Sequence, residues 1–316
     1  MKPHLIERLT VLGYSGGWSA VRHLPDRAAY ATFRNVADLA WRRRGPSVRR
    51  LEANLARALG TADETVVRDV SREGMRSYLR YWCDAFRLPD WTMDRIVSRV
   101  RVVGEDNMRG PLADGRGVVA ALPHMANWDH GGAWACLTGA PVSTVAERLR
   151  PEELFERFRA FREGLGMEIL PLTGGQDDVF TTLAARLREP RLVPLLADRD
   201  LSRRGIEVQL FGETTRMPAG PAALAMRTGA ALVPTSLWYE GVEPEHRVVI
   251  RFHPEITAPV GRRGSERVAA LTQALADELG PAIAAHPHDW HMLQPLFLAD
   301  LTPPGDRPGL RSEARR

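Results

Sequence analysis

The sequence predicts an α/β protein with a mixed central sheet flanked by helices. Two observations carry this. In residues 1–100 apolar side chains recur at helical spacing, and from about Arg101 short apolar runs alternate with longer amphipathic ones. Strands alternating with helices argue a sheet covered on both faces. The expected organisation is an integral helical region over 1–100, an α/β core over 101–302, and a disordered Pro-, Gly- and Arg-rich tail over 303–316.

The elements follow in order. Leu5, Leu9 and Leu12, then Trp18 and Val21, suggest a short amphipathic element broken at Gly16-Gly17. Leu51, Leu55 and Leu59 repeat every four residues and stop at Gly60, a good helix C-cap. Thr61-Ala62-Asp63-Glu64 reads as a capping box opening a long helix toward Leu88-Pro89. A shorter helix is expected over 92–100. Strands are expected at 117–122, 141–146, 168–170, 192–197, 208–211, 231–239 and 248–252. The helices between and after them are expected at 127–137, 152–165, 176–187, 218–228 and 267–285.

Composition narrows the function. No run reaches the roughly eighteen apolar residues of a spanning helix, and Glu7 and Arg8 interrupt any signal-peptide core. Two cysteines, Cys83 and Cys136, make neither a disulfide framework nor a metal spacing. Lys2 is the single lysine, so the positive charge is almost all arginine. Residues 1–100 carry 18 Lys and Arg against 11 Asp and Glu, whereas the remainder carries 25 against 28, so the basic excess is N-terminal. With Trp18 and Trp41 near Arg42-Arg43-Arg44 and no nucleic-acid motif, this charge suits an anionic membrane surface and not nucleic acid.

The stretch Pro123-His124-Met125-Ala126-Asn127-Trp128-Asp129 follows an apolar run and precedes a helix capped by Asn127. Five residues on a helix turn through about 500°, so His124 and Asp129 meet only if His124 stands in the turn before it. Asp129 in the first turn is then expected to fix the imidazole tautomer and steady the imidazolium formed when His124 acts as a general base. First-turn N–H groups could hold an oxyanion. Glu147, a carboxylate ending an apolar run, is expected at the mouth of the sheet.

Further motifs follow in a fixed order: Glu147-Arg148 with Arg162, Asp198-Arg199-Asp200, Phe211-Gly212, Gly220-Pro221-Ala222, and Thr228-Gly229-Ala230 with Pro234. Together with His-x4-Asp they resemble the lysophospholipid and lipid A acyltransferase superfamily. Pro287-His288-Asp289-Trp290-His291-Met292 is similar to the aromatic segment closing those chains. Within it the chain is most similar to the phosphatidylinositol mannoside acyltransferases, through Ser71–Tyr78, Val145–Leu149 and Asp198–Leu201.

The resemblance implies a glycerolipid acyltransferase-like fold with membrane-associating N-terminal helices, peripheral on the cytoplasmic face of the plasma membrane. It implies palmitoyl-CoA as donor co-substrate, a mannose hydroxyl of phosphatidylinositol mannoside as acceptor, and neither a metal nor another cofactor. His124 would be the base, Asp129 its orienting partner, and Asp198 a second acidic group in the catalytic set that binds acceptor hydroxyls or assists the histidine. Glu147, Arg148, Arg162, Arg199 and Asp200 would line the site, with Arg204 and Arg227 toward the donor phosphates. The acyl groove is expected among helices of the N-terminal third. Three alternatives stay open: a sister enzyme with an acyl-carrier-protein donor or another glycolipid acceptor, a non-catalytic membrane-binding protein, and a metal hydrolase using His124, Asp129 and His130.

Overall fold

The computed structural model describes residues 21–301 apart from 148–151, 173–177, 201–203, 259–260 and 262, so the expected element over residues 5–18 and the expected tail lie outside the described residues. Among the described residues, the helices α1 (Asp26–Arg43), α2 (Pro46–Leu59) and α3 (Glu64–Arg87) precede the sheet. On α2 the four-residue apolar repeat buries Leu51 and Leu55 completely. Gly60 ends it at φ +62, a left-handed conformation that glycine adopts without a Cβ penalty.

The N-cap of α3 is not the expected one. Thr61 still donates its N–H to Ala56 O to close α2, so Asp63 caps α3 instead, its Oδ1 accepting from the N–H of Thr65 at 2.8 Å. Helix α1 runs antiparallel along α3. Tyr30 at its start donates to Asp84 at 2.5 Å, while Asp38 near its end accepts from Arg72 and Arg76.

After α4 (Met93–Ser98), capped by Thr92, the chain builds a five-stranded sheet in the order β1-β9-β8-β2-β5. The strands are β1 (Val100–Val103), β2 (Val118–Leu122), β5 (Leu192–Leu196), β8 (Ala231–Glu240) and β9 (Arg247–Phe252). β2 lies parallel to both β5 and β8, β8 is antiparallel to β9, and β9 is parallel to β1. The sheet is therefore mixed, as the sequence predicts. Every residue of β2 is buried, which explains why it reads as an unbroken apolar run. A parallel pair, β3 (Ser143–Ala146) with β4 (Glu168–Pro171), and a hairpin, β6 (Ile206–Leu210) with β7 (Glu213–Met217), stand beside it.

Both faces are covered. The partners Leu237 and Ile250 point to one face, where a Cβ on Gly131 of α6 (Trp128–Leu137) would meet them at 3.2–3.4 Å. The next pair, Ser236 and Arg251, points to the other. There His253 bonds Ser236 and, through Nδ1, Glu278 on α10 (Gly264–Ala285). The remaining helices are α5 (Asp106–Ala113), α7 (Glu152–Gly164), α8 (Val179–Arg188) and α9 (Gly220–Thr228). β1, β7 and α5 escaped the sequence reading. β1 is a partly exposed edge strand carrying Arg101, and β7 is Glu-Thr-Thr-Arg-Met, so neither has the apolar run of a central strand.

Two histidines are buried as neutral groups against this frame. His130 bonds Ile96 O through Nε2 and burial pushes its pKa down to about 4. His291 donates Nε2–H to Ser77 Oγ, whose own proton goes to Asp289, and burial pushes it to about 3. Unfolding restores the ordinary value near 6.5, so the unfolded chain binds more protons between those limits. Stability from these groups is therefore complete above pH 6.5 and is lost as pH falls toward 4, at up to ~1.4 kcal/mol per pH unit for each group. Denaturant unfolding from pH 7 to 4 should show that decline, and His130→Gln should make it shallower. A flat profile, or an unchanged slope in the variant, contradicts the burial argument.

Candidate active site

The register of β2 on β5 assembles the central pair. Leu122 pairs with Leu196, so the residues two places beyond each strand, His124 and Asp198, meet at the carboxyl edge of the sheet. His124 Nδ1 donates to Asp198 Oδ1 at 2.6 Å. Asp198 Oδ2 accepts from the His124 backbone N–H at 3.0 Å and from the Trp290 indole N–H at 2.9 Å. Asp198 is 1 % exposed, whereas the His124 side chain is 24 % exposed. Burial opposes the charge on Asp198, but the imidazole and these donors outweigh it and hold the carboxyl below its usual range. An ionised acceptor on Nδ1 fixes the tautomer in which Nε2 carries the lone pair.

The expected partner of His124 is elsewhere. Asp129, 3 % exposed, accepts from Arg162 Nε at 2.6 Å and Nη2 at 3.3 Å, and from the Tyr81 hydroxyl at 2.9 Å. The pairing read from His-x4-Asp is thus corrected: Asp198 holds the imidazole, and Asp129 ties the start of α6 to α7 and α3. The physical reason is direction. Asp129 sits in the first turn of the helix, whereas His124 is on the strand side of a tight turn and faces the neighbouring strand's end.

That turn is built tightly. Met125 N–H donates to Pro123 O at 2.7 Å, and Ala126 takes φ +47, a left-handed conformation unusual for alanine. Asn127 Oδ1 then accepts from His130 N–H at 2.9 Å and caps α6. The C-terminal segment clamps the turn from outside: His291 N–H donates to His124 O at 2.8 Å, and Ala126 N–H donates to Asp289 O at 3.0 Å. Trp290, fully buried, was not singled out in the sequence as a site residue, although its place in an aromatic run ending the core was visible.

The other expected site residues scatter. Glu147 is exposed just past β3, and Arg148 lies outside the described residues. Arg162 is consumed by Asp129, which holds its guanidinium charged. Arg199 follows Asp198 with a buried Nε that has no partner among the described residues. Asp200 Oδ2 accepts from Gly205 N–H at 2.8 Å, just before β6 begins. Arg227 lies over the Phe180 ring near the end of α9, where the chain re-enters the sheet beside Gly117. The same guanidinium acts on the Asp178 carboxylate that caps α8.

The metal-hydrolase trio is not assembled either. Asp129 is spent on Arg162, and the His130 ring on Ile96 O. Among the described residues no group of three His, Cys, Asp or Glu side chains is placed to hold a metal ion. An apolar groove of about 450 Å³ lies between the β6–β7 turn and α10, lined by Leu210, Phe211, Gly280 and Pro281 among others. Its Phe211 ring meets Trp290 edge-on at 5.8 Å, one residue contact from Asp198.

The chain is similar to known proteins along nearly its whole length. The family model for bacterial lipid A biosynthesis acyltransferases matches residues 3–299. A phosphatidylinositol mannoside acyltransferase of Mycolicibacterium smegmatis is 46 % identical over 295 residues, 93 % of each chain. A phosphatidylinositol mannoside acyltransferase of Mycobacterium tuberculosis is 47 % identical over 291 residues, covering 92 % of this chain and 89 % of that protein. With its strand-end histidine, its buried carboxylate and a match along nearly its whole length, the chain belongs to the bacterial lipid A biosynthesis acyltransferase family and is an acyltransferase.

Proposed function

We propose that this acyltransferase moves a long-chain acyl group, palmitoyl by preference, from an acyl-CoA thioester to a mannose hydroxyl of a phosphatidylinositol mannoside. The acceptor class rests on the relatives' names, and the observation carrying the chemistry is the His124–Asp198 pair. His124 Nε2 removes the hydroxyl proton as the oxygen attacks the thioester carbonyl. Asp198 stabilises the resulting imidazolium, and the N–H groups of Trp128 and Asp129, which open α6 without intrahelical acceptors, serve a developing oxyanion. When the C–S bond breaks, the thiolate takes the proton back from Nε2, so the pair ends as it began. The groove beside Phe211 offers the acyl chain apolar surface, and Arg199 and Arg204 are cations for the donor's phosphates.

We place the protein peripherally on the cytoplasmic leaflet. Among the described residues no helix is long and apolar enough to cross a membrane. Helix α1 carries an outward face with exposed Val36 and Leu39 beside exposed Arg42 and Arg43, a pattern suited to an anionic surface. The protein should sediment with anionic vesicles and be released by salt as charges are screened, and Leu39→Glu should weaken binding. Equal, salt-insensitive binding to neutral vesicles contradicts this placement.

The catalytic assignment is tested by transfer of radiolabelled palmitate from CoA to a phosphatidylinositol mannoside, with a melting curve for each variant. His124→Ala should lower transfer by roughly 10²–10⁴-fold. Asp198→Asn should cost about 10³–10⁴-fold, because the amide favours the wrong imidazole tautomer. The double variant should be little worse than either single one. Asp129→Asn should instead show first in stability, about 3–5 kcal/mol, because it leaves Arg162 buried without its counter-charge. A folded Asp198→Asn enzyme of near-normal rate rules this mechanism out. Transfer from an acyl-carrier-protein thioester alone would reassign the donor and leave the pair intact.

A further inference from the structure

The aromatic side chains around the His124 turn are not all used by the chemistry above. Met125, Ala126, Asn127, Asp129 and His130 are buried, yet Trp128 in their midst is only partly so. Its indole stands edge-on to the His124 ring, centroids 5.7 Å apart at 82°. One of its faces is covered by Tyr81, stacked at 4.4 Å and 29°. Tyr81 is itself fixed, because its hydroxyl donates to Asp129, which Arg162 grips from the other side. A large, flat, partly exposed side chain is thus held rigidly beside the general base.

We infer that Trp128 is the platform on which the acceptor's sugar ring lies, a substrate-positioning residue that sets acceptor preference. This rests on the function proposed above. A pyranose offers a face of C–H bonds and a rim of hydroxyls. An aromatic plane receives that face by burying apolar area, and leaves the rim free to meet polar groups. Lying on an indole next to His124, the ring carries one hydroxyl toward Nε2 with little freedom to turn, which is what attack on the thioester needs. The alternative apolar surface for the acyl chain is the groove at Leu210, Phe211 and Gly280. The tie from Arg162 through Asp129 and Tyr81 to Trp128 also explains why a buried ion pair stands here at all: it fixes the platform and not the base.

The test is steady-state kinetics of Trp128→Phe and Trp128→Leu, varying each substrate with the other saturating, beside melting curves. Losing the plane in Trp128→Leu should raise the KM for phosphatidylinositol mannoside about tenfold, the scale of one aromatic contact, while the KM for palmitoyl-CoA stays within about twofold. Trp128→Phe, which keeps a smaller plane, should fall between wild type and Trp128→Leu, and it carries the test if the leucine variant does not fold. An unchanged acceptor KM in a folded variant overturns the inference. So does a donor KM that rises in step, since Trp128 would then touch the acyl group or merely support the turn. A wild-type enzyme that acylates no mannoside defeats the functional reading itself, and the platform with it. Transfer by the wild type with an acceptor KM indifferent to Trp128 defeats the platform alone.

Discussion

The in-register parallel pairing of β2 with β5 is the constraint on which the site depends. Both strands are short and apolar, and both end two residues before a titratable side chain. Pairing Leu122 with Leu196 leaves His124 and Asp198 opposite each other where the strands run out, and Ala197 N–H donating to Leu122 O continues the ladder to that point. A slip of one residue would turn every β5 side chain to the other face. Asp198 would then point away from the imidazole. The buried strand interiors thereby set the geometry of a partly exposed base without any residue of the strands taking part in the chemistry.

Around that pair the N-terminal helices act as a frame, which is why the helical third does not behave as a separate appendage. Helix α3 spans about 36 Å and reaches three polar centres. Ser77 holds Asp289 and His291 of the closing segment, Tyr81 reaches Asp129, and Asp84 gathers Tyr30 and His246. Burial alone would raise the Asp84 pKa, but His246 and the Tyr30 hydroxyl hold it below its ordinary value, so it can serve as an ionised anchor between α1, α3 and the β8–β9 connection. The closing segment in turn supplies Trp290 to Asp198 and backbone contacts to the His124 turn. Distant parts of the chain thus converge on a handful of hydrogen bonds.

Much of this was legible in the residues, and the failures have physical causes. Apolar runs such as Val118–Leu122 and Ala231–Tyr239 are strands because both faces are buried, and Gly60 and Asn127 cap helices as their chemistry requires. β7, polar and laddered with β6 at the side of the main sheet, carries no such run. The His-x4-Asp spacing marked the right turn but misled about the partner, because spacing along a chain says nothing of which neighbouring strand ends nearby. Asp198 was visible as an acid ending an apolar run, and only the register shows that it meets His124.

Nuclear magnetic resonance of ¹⁵N-labelled histidine tests the central claim most directly, since it reads which ring nitrogen of His124 carries the proton and what that proton meets. The account predicts that the neutral imidazole carries its proton on Nδ1 and its lone pair on Nε2, with the Nδ1 proton shifted strongly downfield by its carboxylate partner. That signal should persist in Asp129→Asn and disappear in Asp198→Asn. Loss of the signal in Asp129→Asn with its retention in Asp198→Asn would contradict the account.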